Sequence, residues 1–208
     1  MKKDKLDSLY FEYGETEIEW LKSRDPQLGA AIDEIGHIQR EIIPDLFAAM
    51  VNSIIGQQIS AKAQVTIWGR VAGKFKPLTP AAIASAAEED LRACGITTRR
   101  ALCIKEIAQS ILDGSLDLTE LYNLSDEEVC KRLVKIKGIG TWTAEMLMIF
   151  SMQRKDILSW GDLAIHRGLR ILYRHRKITP KLFNKYKRRY SPYASVASLY
   201  LWALSKTE

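Results

Sequence analysis

The chain has 208 residues, 47% of them hydrophobic, enough to fill the core of one large or two small domains. No run of about 18 apolar residues occurs, and the charged N-terminus has no apolar stretch behind it, which argues against a membrane span or a secretory signal. The net charge is +6, and the three widely spaced cysteines, Cys94, Cys103 and Cys130, suit free thiols in a reducing compartment better than a disulfide framework, a zinc site or an iron–sulfur cluster.

Taken in chain order, helix signals recur and strand signals are scarce. Residues 1–43 read as helical and acidic, with 6 Lys and Arg against 10 Asp and Glu. Pro44 is suited to open a helix, and Leu46, Phe47, Met50, Val51, Ile54 and Ile55 follow as one apolar stripe at helical spacing. Gly56 interrupts it, and Ser60 can cap the next helix, which carries Ala63, Ile67, Trp68 and Val71. Thr79-Pro80 opens a helix ending near Ala93, where Gly95 supplies a left-handed residue. Another begins at Thr97 or Thr98, and Ser125–Glu128 reads as a capping box for a helix through Leu133. Thr141 and Asp162 can each cap a further helix, and the last spans about Tyr193–Leu204. Roughly ten short helices with no convincing hairpin make the fold class all-α.

The segment LVKIKGIGTWTAEM breaks two helical patterns with Gly138-Ile139-Gly140. This is a helix–hairpin–helix. Glycines there permit positive φ or close backbone approach. Such a turn is a plain connection between packed helices, or a site where free N–H groups at a helix start meet an anion such as phosphate. Lys135 and Lys137 add positive charge beside it. Further on, residues 163–190 hold ten Lys and Arg, two His and no acid. That face suits either bulk solvent or a polyanion, nucleic acid before others.

KIKGIGTWTAEM, followed about twenty residues later by WGDLAIHRGL, together with the upstream PDLFAAMVNSI and IIGQQISAKA, resembles the helix–hairpin–helix (HhH-GPD) DNA glycosylases, in their 3-methyladenine DNA glycosylase II branch. The likeness runs from about Pro44 to the C-terminus. It implies two helical lobes with the lesion pocket between them. Residues 44–140 are expected to form a central bundle ending in the hairpin, and residues 1–43 with 141–208 the second lobe, which carries the catalytic aspartate.

The resemblance places Asp162 on the family's catalytic aspartate. Local sequence alone favours an N-cap, and the two roles are compatible. A fixed carboxylate beside the sugar stabilises an oxocarbenium-like transition state and orients water. An alkylated purine already carries positive charge, so it leaves without a second carboxyl group. Where relatives that also cut the backbone carry a Schiff-base lysine, this chain has Trp142, which implies a monofunctional enzyme. Trp142 could stack on a cationic base or pack in the core. Met146, Trp160 and Tyr190 complete the base pocket that the resemblance implies. Ser159 stands where many relatives have proline, and Trp160 brings an unusual ring close to Asp162. His166, four residues after Asp162, could assist protonation but reads more readily as a structural or phosphate contact.

The resemblance makes Gln58 the wedge that fills the gap left by a flipped nucleotide, with Gln57 touching DNA beside it, although both amides could instead cap the interrupted helix. It gives Gly138, Gly140, Thr141 and Lys137 to the phosphate grip, and Arg167 and Arg170 to further phosphates. Carbonyls of Val134, Ile136 and Ile139 could hold a structural Na+ or K+; no cofactor is required. The expected protein is a monomeric glycosylase of alkylated purines in double-stranded DNA, with no membrane partner. It would be cytoplasmic at the nucleoid in a prokaryote and nuclear in a eukaryote. The alternatives are a glycosylase for an oxidised or deaminated base, or a non-catalytic DNA-binding module.

Overall fold

A computed structural model of the chain describes residues 10–206. Among the described residues there are twelve α-helices, one 3-10 turn and no strand, only the isolated bridge Tyr10–Glu41. The chain divides into two compact units, one of Met1–Ile42 with Met148–Glu208 and one of Ile43–Leu147. The second division falls at Leu147, beyond Gly140, so the hairpin, Trp142 and Met146 all belong to the middle unit.

The middle unit begins with α3 (Leu46–Gly56) and α4 (Ala61–Lys74). The helix starts two residues after Pro44, because the Asp45 carboxylate accepts the Ala48 N–H at 2.6 Å and becomes the cap. Ser60 caps α4 in the same way, accepting from the Ala63 N–H. The segment read as one helix after Thr79 is two, α5 (Pro80–Ser85) and α6 (Glu88–Ala93). Ala86 and Ala87 are extended between them, and Glu88, Glu89 and Asp90 restart a helix at the end where acids complement the dipole. Lys105 donates to the carbonyls of Ala84 and Ala86, so the break leaves them satisfied. Lys105 belongs to α7 (Thr98–Leu112), which packs on α3, α5 and α6 and buries Ala101, Ile104, Ile107 and Ala108. The 3-10 turn Glu120–Asn123 leads to α8 (Asp126–Leu133), whose capping box is complete: Ser125 accepts from Glu128 N–H, and Glu128 accepts from Ser125 N–H. Thr141 is the first residue of α9 (Thr141–Phe150), whereas the sequence suggested it as the cap.

The other unit holds α1 (Glu15–Arg24), α2 (Pro26–Ile35), α10 (Leu163–Tyr173), α11 (Pro180–Tyr190) and α12 (Ala194–Leu204). Helix α12 is its centre: Ala194–Leu201 is buried along every face, as expected of a helix apolar all round. It packs most extensively on α10. Gly168 permits this, since a Cβ there would stand 2.3 Å from the Leu201 carbonyl oxygen. Helix α11, not delimited from the sequence, starts with the same signal as α5: Thr179 caps and Pro180 follows.

Candidate active site

Asp162 is the N-cap of α10 and is 7% exposed. Its Oδ1 accepts the N–H groups of Ala164 at 2.8 Å and Ile165 at 3.1 Å. Its Oδ2 accepts the indole N–H of Trp202, from α12, at 3.1 Å. The carboxylate is therefore gripped on both oxygens, by one helix start and by the side chain of a second helix, which fixes its orientation. Trp202 in turn packs on Phe150, ring centroids 5.5 Å apart.

Around this carboxylate the first unit exposes apolar groups. Ser159 and Leu158 are buried, which anchors the short loop before Asp162, while Trp160 is 45% and Leu163 84% exposed. Trp160 is held edge-on by His166 (4.6 Å) and Phe183 (5.0 Å), and the His166 Nε2 meets the Trp160 carbonyl at 2.8 Å. A half-exposed indole is thereby presented rigidly two residues before Asp162. His166 thus supports the Trp160 ring.

The basic stretch resolves into different jobs. Arg189 pairs with the buried Asp25 at 2.6 Å, and Arg167 reaches the Ser205 carbonyl at 3.5 Å. Arg170, Lys181, Lys185 and Arg188 are exposed.

In the middle unit, the hairpin turn runs from Val134 to Gly140. Gly138 has φ +87°, and the N–H groups of Gly138 and Gly140 find no acceptor among the described residues. The Ile136 carbonyl accepts the Ile139 N–H at 3.0 Å, which closes the turn. Lys137 is paired with Glu106 at 3.0 Å, on a surface where such a pair contributes about 0–1 kcal/mol and exchanges readily. Trp142, in the first turn of α9, is 50% exposed, and Met146 one turn later is half-buried.

The loop between α3 and α4 carries the two glutamines. Gln58 is exposed at its tip with φ +54°. Gln57 is turned inward: its Nε2 donates to the Gly138 carbonyl at 2.6 Å, and its own carbonyl accepts from Arg100. The amide expected to touch DNA thus ties its loop to the hairpin.

Tyr190 differs from its expected place in the base pocket. It is fully buried in the first unit, with its hydroxyl 2.6 Å from that of Tyr173, which bonds Asp25. Burial pushes the Tyr173 and Tyr190 phenols well above their ordinary value. A ring with no accessible face cannot stack on a base, so Tyr190 belongs to the core that holds α2, α10 and α11. Conversely, no motif in the sequence marks Trp202, Arg100 or the bond of the Cys103 thiol to the hairpin. The only signal for Trp202 was an indole, with a donor to satisfy, inside an otherwise apolar helix.

The chain thus carries a carboxylate fixed at a helix start and a hairpin whose glycine amides are unpaired among the described residues. Residues 51–192 match the family model described as HhH-GPD superfamily base excision DNA repair protein. The chain belongs to this superfamily. It is 36% identical, over 77% of its length and 72% of the relative's, to DNA-3-methyladenine glycosylase 1 of Schizosaccharomyces pombe, and falls in the 3-methyladenine glycosylase branch. Among solved structures it is similar to the DNA-3-methyladenine glycosidase of Bacillus halodurans, with TM-score 0.82, 35% identity, and coverage of 95% of this chain and 93% of that one. It is also similar to the S. pombe 3-methyladenine DNA glycosylase in complex with abasic DNA, with TM-score 0.77, 30% identity, and coverage of 92% and 97%. The matched span contains both Asp162 and the hairpin.

Proposed function

We propose that this glycosylase hydrolyses the N-glycosidic bond of alkylated purines, 3-methyladenine first, flipped out of duplex DNA, and leaves an abasic site uncut. The observation that carries the reading is Asp162, a carboxylate 7% exposed and oriented by two helix N–H groups and one indole N–H. Positive charge grows on the deoxyribose as the bond to the base breaks. A carboxylate that need not reorient stabilises that charge and directs water to the anomeric carbon. The bond pair stays with the base, which departs neutral because the alkyl group had made it cationic. The attacking water's oxygen ends on the sugar, and its proton passes to solvent.

Trp142 supports the monofunctional assignment. An indole, 50% exposed, has no nucleophilic nitrogen to form an imine, and its face suits a cationic base. Trp160 and Met146 are each assigned to lesion contact; the exposed ring of Trp160 favours a lesion range wider than 3-methyladenine. Gln58 is the wedge. Amides of Gly138 and Gly140, with Thr141 at the start of α9, hold the flanking phosphate. Lys137, on exchanging Glu106, and Arg167 and Arg170 add charge.

The hairpin's donor set fits a monovalent cation: Val134 and Ile139 carbonyls accept no hydrogen bond among the described residues, and Ile136 O retains a second lone pair. Such an ion would stiffen the turn and add nothing to the reaction itself. One site and one duplex grip suffice for a monomer acting on chromosomal DNA, at the nucleoid or in the nucleus.

The deciding experiment presents duplexes with defined lesions to the protein, and measures base release and borohydride-trapped product separately. Release without strand cutting or trapping is expected. Lesion binding with no release would refute the enzyme reading, and a trapped imine the monofunctional one.

A further inference from the structure

The structure assigns Gln57 and Arg100 as positioning residues that brace the wedge loop to the hairpin, so that wedge insertion and phosphate grip act as one piece; this rests on the reading of Gln58 as the wedge. Three elements of the middle unit close a ring. Helix α7 places Arg100 and Cys103 three residues apart, on one face. Arg100 donates to the Gln57 carbonyl. Gln57 Nε2 donates to the Gly138 carbonyl at 2.6 Å. Cys103 Sγ donates to the Lys137 carbonyl at 2.9 Å, which returns the ring to α7.

Each neighbour of the ring is built to keep it tight. A Cβ on Gly138 would stand 2.8 Å from Cys103 Sγ, so the hairpin approaches α7 as closely as glycine allows. On the far side, a Cβ on Gly56 would stand 2.5 Å from the Gln64 carboxamide, which bonds back to Asn52 at 3.1 Å and fixes the start of the loop. Gln58 itself is a non-glycine residue at φ +54°, a conformation that persists only where the surroundings over-determine it. The two fastenings on Gln57, one residue before, supply that determination.

The charge on Arg100 has the same rationale. The first turn of α7 has no acid and carries Arg99 and Arg100, at the end where the helix dipole opposes cations. A guanidinium placed there needs an acceptor, and the Gln57 carbonyl is one. Flipping requires the strand to be held while the gap is filled. If the two loops moved independently, binding at the hairpin could not drive the wedge into the stack; the ring transmits it.

The test uses Gln57→Glu, which keeps shape but sets a carboxylate against the Gly138 carbonyl, and Arg100→Ala, with Arg100→Lys as the conservative variant. Flipping is read as 2-aminopurine fluorescence beside the lesion, and base release as a single-turnover rate. Both variants should lose about tenfold in flipping and in release, the order of one hydrogen bond. Their double variant should lose no more than either alone, Arg100→Lys should recover part of the loss, and release should improve for a lesion opposite an abasic site, where unstacking costs least. Equal losses on both substrates with unchanged fluorescence, or wild-type flipping in both variants, would overturn the brace. Gln58→Ala separates the premises. If it leaves flipping unchanged the wedge reading itself fails; if it lowers flipping while Gln57→Glu and Arg100→Ala do not, only the brace fails.

Discussion

Replacing Asp162 by Asn separates the two roles of this carboxylate. The amide oxygen can take the place of Oδ1 and accept the same N–H groups of Ala164 and Ile165, so the helix cap, about 1 kcal/mol, is retained. The amide nitrogen then faces the Trp202 N–H that Oδ2 now accepts at 3.1 Å. That loses one hydrogen bond to a charged group, about 1.5–3 kcal/mol. For a chain of 208 residues the melting temperature should fall by about 3–12 °C. Base release should fall far more, by at least about a hundredfold, because the negative charge opposite the developing cation is gone. Asp162→Ala should lose the cap as well and melt lower still. The assay is single-turnover release of 3-methyladenine from duplex DNA well below the melting temperature, beside thermal denaturation of each variant. If Asp162→Asn released base within about threefold of wild type while melting lower, the residue would be a cap and nothing more, and the mechanism would be wrong.

Gly168→Ala would set a methyl group 2.3 Å from the Leu201 carbonyl, a backbone atom that cannot turn aside. A loss of about 1–3 kcal/mol or more is expected in denaturant titration, with a further loss of base release because α12 also carries Trp202. In Gly138→Ala, a side chain at φ +87° meets Cys103 Sγ at 2.8 Å; DNA affinity should drop in an anisotropy titration, and Cys103→Ala added to it should restore only part, since the strain at φ remains. Burial pushes the Glu17 carboxyl up, but hydrogen bonds from Lys155 and the Gly14 N–H outweigh it and hold the group below its ordinary value of 4.5. Its stabilising contribution is therefore full above that value and lost as pH falls through the folded one, so the melting temperature of Glu17→Gln should vary less with pH below about 4.5 than that of wild type. Trp142→Ala should weaken binding to a cationic lesion by about tenfold, with little change for undamaged duplex, measured as the ratio of two dissociation constants.

Legibility from sequence followed the range of the interaction. Caps are made within three residues of themselves, so Ser60, Thr79-Pro80, the Ser125–Glu128 box and Asp162 could all be read directly. The same locality misplaced a helix start at Pro44, because Asp45 offers a better acceptor and proline none. The break at Ala86-Ala87 was hidden because alanine favours helix, and the carbonyls it frees are satisfied by Lys105 from another helix. The Gln57–Gly138 bond spans 81 positions and the Trp202–Asp162 bond 40, and neither has a local pattern. Tyr190 shows the reverse error. Its alignment suggested a pocket ring, yet its hydroxyl is part of a buried network with Tyr173 and Asp25, which no periodicity could announce.

Resemblance to a family is what singles out Asp162, and the proposed catalytic role rests on how its carboxylate is held. An aspartate at a helix start is ordinarily content as a cap, and capping alone leaves one oxygen free to solvent. Here the second oxygen is bound to an indole from a different helix, and that helix can reach it because Gly168 lets α10 and α12 touch backbone to backbone. The cap, the glycine and the tryptophan are one device. The same device predicts an ordering: Gly168→Ala should act through Trp202, so in a Trp202→Phe background, which keeps the ring and removes its N–H, the Gly168→Ala penalty on base release should shrink while its penalty on stability stays. Undiminished rate loss in the double variant would mean that α12 positions something other than this bond.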